Sequence, residues 1–244
     1  MKTVGNTILI TGGTSGIGLG FAERFLKLGN RVIICGRREN RLVQIKKDHP
    51  GIETLTCDVS EAKERAILCS KVMGLFPAIN ILMNNAGIQF QMNMTTPVNV
   101  DMLRMEIETN LTAPVHLTSL FAGYLAAKEE AAVINISSGL AFSPYAVVPV
   151  YSATKAALHS VTMSLRYQLR QTSIKVFEIA PPAVDTELGH QNRSDKSQSH
   201  GGIPVSELID ASLQAMEKNI FEIPVGMAKD LREKGEQFFD LMNK

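Results

Sequence analysis

The stretch from Thr7 to Gly18 restricts this chain more than any other. Thr7-Ile-Leu-Ile10 is short and apolar and reads as a buried strand. It runs straight into Thr11-Gly-Gly-Thr-Ser-Gly-Ile-Gly18, and Leu19 to Leu28 then follows a helical pattern closed by Gly29. Gly12 permits the tight turn. Gly16 and Gly18 let backbone approach a pyrophosphate and let helix pack on strand. Amides at the helix start then face negative oxygens, so Thr14, Ser15 and Ile17 join the expected cofactor-binding set. Three residues separate Gly12 from Gly16, a wider spacing than GxGxxG. The competing reading is a glycine-rich turn that binds nothing.

Strand and helix alternate along the rest of the chain. Further strands are expected at Arg31–Cys35, Ile52–Thr56, Asn80–Met83, Ala131–Ile136 and Ser173–Ile179. Helices are expected at Glu39–Lys47, at Glu61 to about Met73 with Ser60 as N-cap, and from near Val98–Asp101 to Ala127 with a break at Asn110. The tail adds a helix at Ser206–Lys218, a short strand within Asn219–Pro224 and an amphipathic helix at about 227–242. This order predicts an α/β fold: one doubly wound parallel sheet covered on both faces, a three-layer αβα sandwich. A length of 244 residues suits one large domain. The polar stretch at about 185–202 is either a disordered surface loop or a substrate lid, and its place after a strand exit favours the lid.

Ligands sit at the carboxyl ends of strands in such a sheet, and the strand exits carry the chemistry. Arg37 and Arg38 follow the second strand, where the adenosine ribose is read; two guanidiniums there fit a 2′-phosphate, although a solvated basic turn has the same composition. Asp58, with Val59, either reads adenine or caps the next helix. Asn84 and Asn85 read mainly as scaffold, with Ala86 and Gly87 small enough for a cofactor to pass. Ser138 ends the fifth strand and lies thirteen residues before Tyr151. Tyr151 and Lys155 share one helix face, and an ammonium beside a phenol favours the phenolate. Such a pair can pass a proton to or from an oxygen. Pro181, Val184 and Thr186 follow the sixth strand and could line the nicotinamide end.

Taken together, Thr11–Gly18, Asp58-Val59, Asn84-Asn-Ala-Gly87, Asn110, Ser138, Tyr151-Ser-Ala-Thr-Lys155 and Pro181 through Thr186 resemble the short-chain dehydrogenase/reductase family along nearly the whole chain. The variant around Ser138 and Pro181 is similar to a bacterial subgroup that includes the oxidoreductase of the D-alanyl-lipoteichoic-acid operon. The resemblance implies a Rossmann sheet, a homodimer or homotetramer, and a catalytic set of Asn110, Ser138, Tyr151 and Lys155. Tyr151 would be the general acid or base and Ser138 would hold the substrate oxygen. Lys155 would bind nicotinamide ribose and depress the Tyr151 pKa, and Asn110 would hold a relay water. The family usually has Pro-Gly where this chain has Pro181-Pro182, and proline fixes φ and donates no hydrogen bond.

The expectation is therefore an enzyme that moves a hydride between NADP(H), with NAD as second choice, and a small-molecule carbonyl or secondary alcohol. The rival is a non-catalytic NADP-binding sensor or scaffold. A net charge of +1 and no basic stripe argue against nucleic acid as a partner, and no run reaches membrane-spanning length. Three cysteines without metal-type spacing predict no metal site and, with no signal-like start, a cytoplasmic protein. Ile88, Phe90, Phe142, Tyr145 and Val147 predict a fairly apolar substrate pocket.

Overall fold

The computed structural model describes residues 1–188 and 201–244. Seven parallel strands form one sheet in the order β3-β2-β1-β4-β5-β6-β7. Chain order runs β1 (Thr7–Thr11), α1 (Gly16–Lys27), β2 (Arg31–Gly36), α2 (Glu39–Asp48), β3 (Ile52–Thr56), α3 (Ala62–Leu75) and β4 (Ile81–Asn84). Then come α4 (Val100–Ile107), α5 (Ala113–Ala126), β5 (Ala131–Ile136), α6 (Pro149–Gln168), β6 (Ile174–Ala180), α7 (Val205–Glu217), β7 (Glu222–Pro224), α8 (Ala228–Lys234) and α9 (Phe239–Met242).

The two-residue period of the strands sorts side chains into two cores. Ile8, Ile10, Val32 and Ile34 pack with Phe21 and Phe25 of α1, Leu42 and Ile45 of α2, and Leu208, Leu213 and Met216 of α7. Leu9, Ile33, Leu82 and Val133 face the other way, onto Leu68 and Val72 of α3 and Leu117 and Phe121 of α5. Both faces are thus covered, which is why the strands read as continuous apolar runs. Strand order reverses between β1 and β4, so their carboxyl ends diverge and leave a crevice there.

Three local expectations need correction. Ser60 does not cap α3. Its N–H and Oγ–H both donate to Asp58 Oδ1, at 2.9 and 2.7 Å, and Glu61 takes the N-cap position. The break at Asn110 is a π-turn, Glu108–Thr112, that joins α4 to α5 without ending the helix. One extra residue per turn lets the Asn110 side chain leave the helix surface. Pro114 follows in the first turn of α5, where its missing N–H costs nothing. The expected helix at 227–242 is broken at Gly235, whose φ of +54° admits glycine at little cost; a 3₁₀ turn, Gly235–Phe238, separates α8 from α9.

Buried polar groups also order the sheet. Asn84 Nδ2 donates to Asn135 Oδ1 at 2.8 Å, and Asn135 Nδ2 donates to Thr162 Oγ1 at 2.9 Å, tying β4 to β5 and β5 to α6. Truncating Asn135 takes an acceptor from Asn84 Nδ2 and a donor from Thr162 Oγ1, which keep Thr118 Oγ1 and the Leu158 carbonyl as partners. Asn135→Ala is expected to lower unfolding free energy by about 1–3 kcal/mol, read as a lower urea midpoint at unchanged m-value.

Candidate active site

The carboxyl ends of β1, β4, β5 and β6 open onto a cleft of about 840 Å³. Gly12, Thr14, Ser15, Gly16 and Ile17 line one end. The glycines are required for different reasons. Gly12 has φ +66°, and a Cβ there would come within 2.7 Å of the Ala86 backbone. Gly16 has φ +54° at the start of α1. Gly18 is buried outside the cleft lining. A Cβ there would lie 2.4 Å from Asn85 Nδ2 and 2.6 Å from the Gly12 carbonyl, so it serves loop packing rather than ligand approach. Asn85 holds the loop directly. Its Nδ2 donates to the carbonyls of Thr11 and Gly12 at 2.9 and 3.1 Å, and its backbone N–H donates to Thr11 Oγ1 at 3.0 Å.

Arg37 and Arg38 line the cleft beyond the end of β2, with different partners. Arg37 lies 3.7 Å from Asp58 Oδ2. Asp58 therefore faces Arg37 with one oxygen and holds the Ser60 turn with the other. Val59 is buried beside it and gives its carbonyl to Arg65. Arg38 Nη2 donates to Thr14 Oγ1 and Ser15 Oγ at 2.8 and 2.7 Å, which ties the end of β2 to the glycine loop.

At the opposite end Asn110, Ser138, Tyr151 and Lys155 converge. All four are buried. Pro149 occupies the first turn of α6, and Tyr151 and Lys155 follow on its inner face. Lys155 Nζ donates to the Ile136 carbonyl at 2.8 Å and sits 5.5 Å from the Tyr151 ring centre. Tyr151 and Ser138 both line this end of the cleft, and the serine hydroxyl is close enough to favour ionisation of the phenol. Ser138 Oγ accepts from Leu140 N–H at 3.1 Å, so the serine caps a turn and faces the phenol at once. Asn110 Oδ1 accepts from Ile88 N–H, while its Nδ2 donates to the Ile88 carbonyl and Thr154 Oγ1. This side chain is thus engaged by protein and braces the 88 loop. A Cβ at Gly87 would lie 3.5 Å from Asn110 Oδ1 and 3.6 Å from Lys155 Nζ, so the Asn-Ala-Gly turn neighbours this set at ordinary contact distance.

The electrostatics differ from the expectation that Lys155 lowers the Tyr151 pKa. Burial pushes the phenol up to about 12; the Ser138 hydroxyl opposes this, and Glu106 adds to it. Burial also brings Lys155 down to about 8, against the pull of Glu178 and Glu106. Desolvation outweighs the pairing assumed from sequence spacing.

Pro181 gives its carbonyl to Gly139 N–H at 2.8 Å, joining the β5 and β6 exits. Pro182, where the family usually has glycine, faces Gly226, whose φ is +54°. Val184 bridges to Ile203, and Ile203 N–H donates to the Ala183 carbonyl. Thr186 packs over Gly16. The expected lid at 185–202 lies largely outside the described residues. Met227, Leu231 and Met242 wall the remaining side, and Asn243 Nδ2 and Oδ1 join the Pro144 carbonyl and the Ala146 N–H. Of the expected apolar pocket residues, Ile88 and Tyr145 line the cleft; Phe142 instead meets His159 edge-on at 5.0 Å.

Two buried carboxyl groups escaped the sequence reading. Glu178 Oε2 accepts from His159 Nδ1 at 2.8 Å, and the pairing raises the His159 pKa against the effect of burial. His159, Glu178 and Glu222 place ligand-type atoms within 4.8 Å of one another, but Arg232 already donates to Glu222 Oε1 and supplies cationic charge there. Glu106 is fully buried. Its Oε1 accepts from Phe90 N–H at 3.1 Å, so Glu106 and Asn110, four apart, clamp the 88–90 loop together. Burial raises the Glu106 pKa to about 7, against the Phe90 hydrogen bond and Lys155. An acid with a raised folded pKa binds more protons folded than unfolded, so stability falls as pH rises from its unfolded value through about 7. Glu106→Gln should flatten that slope and leave the variant more stable than the parent by about 1–3 kcal/mol at pH 8, measured by urea unfolding across pH.

Comparison with known proteins agrees with this geometry. The family profile described as short chain dehydrogenase matches residues 6–197. The uncharacterized oxidoreductase DltE of Bacillus subtilis is 45% identical over 243 residues, covering 98% of this chain and 96% of that protein. The NADP-dependent 3-hydroxy acid dehydrogenase YdfG of Salmonella typhi is 33% identical over 181 residues, 72% of each chain. The solved short-chain dehydrogenase of Sphingobium yanoikuyae in complex with NADPH superposes with a TM-score of 0.83 at 27% identity, covering 93% of this chain and 92% of that one. A glycine loop held by Asn85 at one end of the crevice, and a buried serine–tyrosine pair beside a lysine at the other, thus lie on the sheet that these relatives share; the chain belongs to the short-chain dehydrogenase family and is an oxidoreductase.

Proposed function

We propose that this protein binds NADP(H) and exchanges a hydride with a carbonyl or secondary alcohol of a small molecule. The observation that carries this reading is the convergence of buried Ser138, Tyr151 and Lys155 at one end of a cleft whose other end holds the glycine loop and two arginines. The residues present fit the cofactor. Gly12 and Gly16 leave room where side chains would intrude, the start of α1 offers backbone amides, and Arg37 and Arg38 offer cations to a phosphate. The NADPH named with the Sphingobium structure and the NADP dependence named for the Salmonella relative support the same choice.

The bound nicotinamide supplies the hydride; everything else falls to the chain. Thr14, Ser15, Gly16 and Ile17 would hold the pyrophosphate end, with Ala86 and Gly87 forming the floor. Val184 and Thr186 would flank the nicotinamide end, and Lys155 would hold its ribose. Ser138 and Tyr151 are the hydroxyls placed to bind a substrate oxygen. In reduction, negative charge develops on that oxygen. Both hydroxyls donate toward it, and Tyr151 gives up its proton. A phenol pushed to about 12 holds its proton at neutral pH, which is the state that reduction uses. Lys155, at about 8, is cationic at neutral pH and stabilises the tyrosinate left behind. Asn110 serves by fixing the 88 loop against Lys155.

The cleft near Ser138 is bounded by Ile88, Leu140, Tyr145 and Met227, so the preferred substrates carry an apolar portion beside the reacting oxygen. Exposed Met102, Met105, Ile107 and Val115 on the α4–α5 face support assembly as a homodimer or homotetramer. Three buried free cysteines suit the reducing cytoplasm. Tyr151→Phe is expected to remove nearly all turnover on a panel of ketones and aldehydes, followed by nicotinamide absorbance, while NADPH still binds. Near-parental turnover by this variant would refute the assignment of Tyr151.

A further inference from the structure

Two arginines beyond the end of β2, Arg38 in the cleft lining and Arg41 on α2, are engaged by a carboxylate from the far side of the sheet. Glu187 follows the β6 exit and reaches back over the glycine loop to the end of β2. Arg41 Nη1 donates to Glu187 Oε1 and Oε2 at 2.7 and 2.8 Å, and Arg38 Nη1 donates to Oε2 at 3.0 Å. Burial alone would raise the Glu187 pKa, but the two guanidiniums outweigh it and hold it below the usual carboxylate range. Glu187 lines the same cleft as Arg38, Thr14 and Ser15. The other hand of Arg38 is fixed by the Thr14 and Ser15 hydroxyls, so its guanidinium cannot follow Glu187 without leaving the loop.

We propose that Glu187 occupies the seat of the cofactor's 2′-phosphate and competes with it, which makes Glu187 and Arg41 determinants of the choice between NADP(H) and NAD(H). The inference rests on the NADP(H) reading above. A carboxylate offers one negative charge and two oxygens; a 2′-phosphate offers up to two charges and three oxygens. The phosphate therefore displaces the carboxylate from Arg38 and Arg41, at the cost of breaking the ion pair. A cofactor lacking that phosphate leaves the pair in place. The pair is about half exposed, which keeps its breaking cheap.

The test is equilibrium binding of NADPH, NADH, 2′,5′-ADP and 5′-AMP to the full chain and to Glu187→Gln, Arg41→Ala and the double variant. Removing an exposed ion pair of this kind should tighten NADPH and 2′,5′-ADP by roughly two- to fivefold and leave NADH and 5′-AMP unchanged. Arg41→Ala should weaken the two phosphate-bearing ligands by about tenfold. In the double variant the gain from Glu187→Gln should shrink but persist, because Arg38 still pairs with Glu187 when Arg41 is gone. Weaker or unchanged NADPH binding by Glu187→Gln would overturn the proposal, because it would make Glu187 a support for the arginines or a bystander. Equal tightening of NADPH and NADH would overturn it as well. Parental protein that binds 2′,5′-ADP no better than 5′-AMP would refute the NADP reading itself, a different result from selective 2′,5′-ADP binding that Glu187→Gln fails to improve.

Discussion

An ammonium group inside a protein needs compensation, and much of this site is arranged to provide it for Lys155. Its Nζ has the Ile136 carbonyl as a direct acceptor and feels Glu178 and Glu106 at longer range. The Ile136 carbonyl is at the end of β5, so its position depends on the register of β5 with β4 and β6. Asn135, the preceding residue, fixes that register through Asn84 and Thr162. Gly87 lies against the same ammonium, within ordinary contact distance. The sheet, the Asn-Ala-Gly turn and α6 thus meet at one charge.

That arrangement sets up a balance between burial and pairing. Removing Tyr151 and Lys155 from water drives both toward their neutral forms, the phenol by holding its proton and the amine by losing it more readily. The same burial makes any negative charge that develops on a substrate oxygen interact strongly with the groups around it. Glu106 is opposed in effect: it pulls Lys155 toward its charged form and makes Tyr151 a weaker acid. A carboxyl titrating near neutrality beside this pair links the state of the site to that of the 88–90 loop, whose Phe90 N–H it holds.

Much of this was legible in the chain. The strand–glycine–helix order, the alternation of elements and the positions of Ser138, Tyr151 and Lys155 at one sheet edge follow from periodicity and from the rule that strand exits hold ligands. What escaped depends on tertiary context. Whether a helix breaks or takes an extra residue at Asn110 is decided by Ile88, on another element. The direction of the Tyr151 shift depends on burial, which spacing does not report. Glu106 did carry a signal: a carboxylate four residues before a buried asparagine, between Met105 and Ile107, falls on the inward face. Glu187 carried none, since nothing local to its sequence points to Arg38 and Arg41 across the cleft.

The wall supplied by Met227, Leu231, Met242 and Asn243 comes from a segment beyond the last strand, broken at Gly235 and fastened to the 144–146 loop by a single asparagine side chain. None of the residues that handle protons belongs to it. That part of the cleft wall can therefore vary without touching the buried hydroxyls, whereas Ile88, Leu140 and Tyr145 tie the rest of the wall to the elements that carry them.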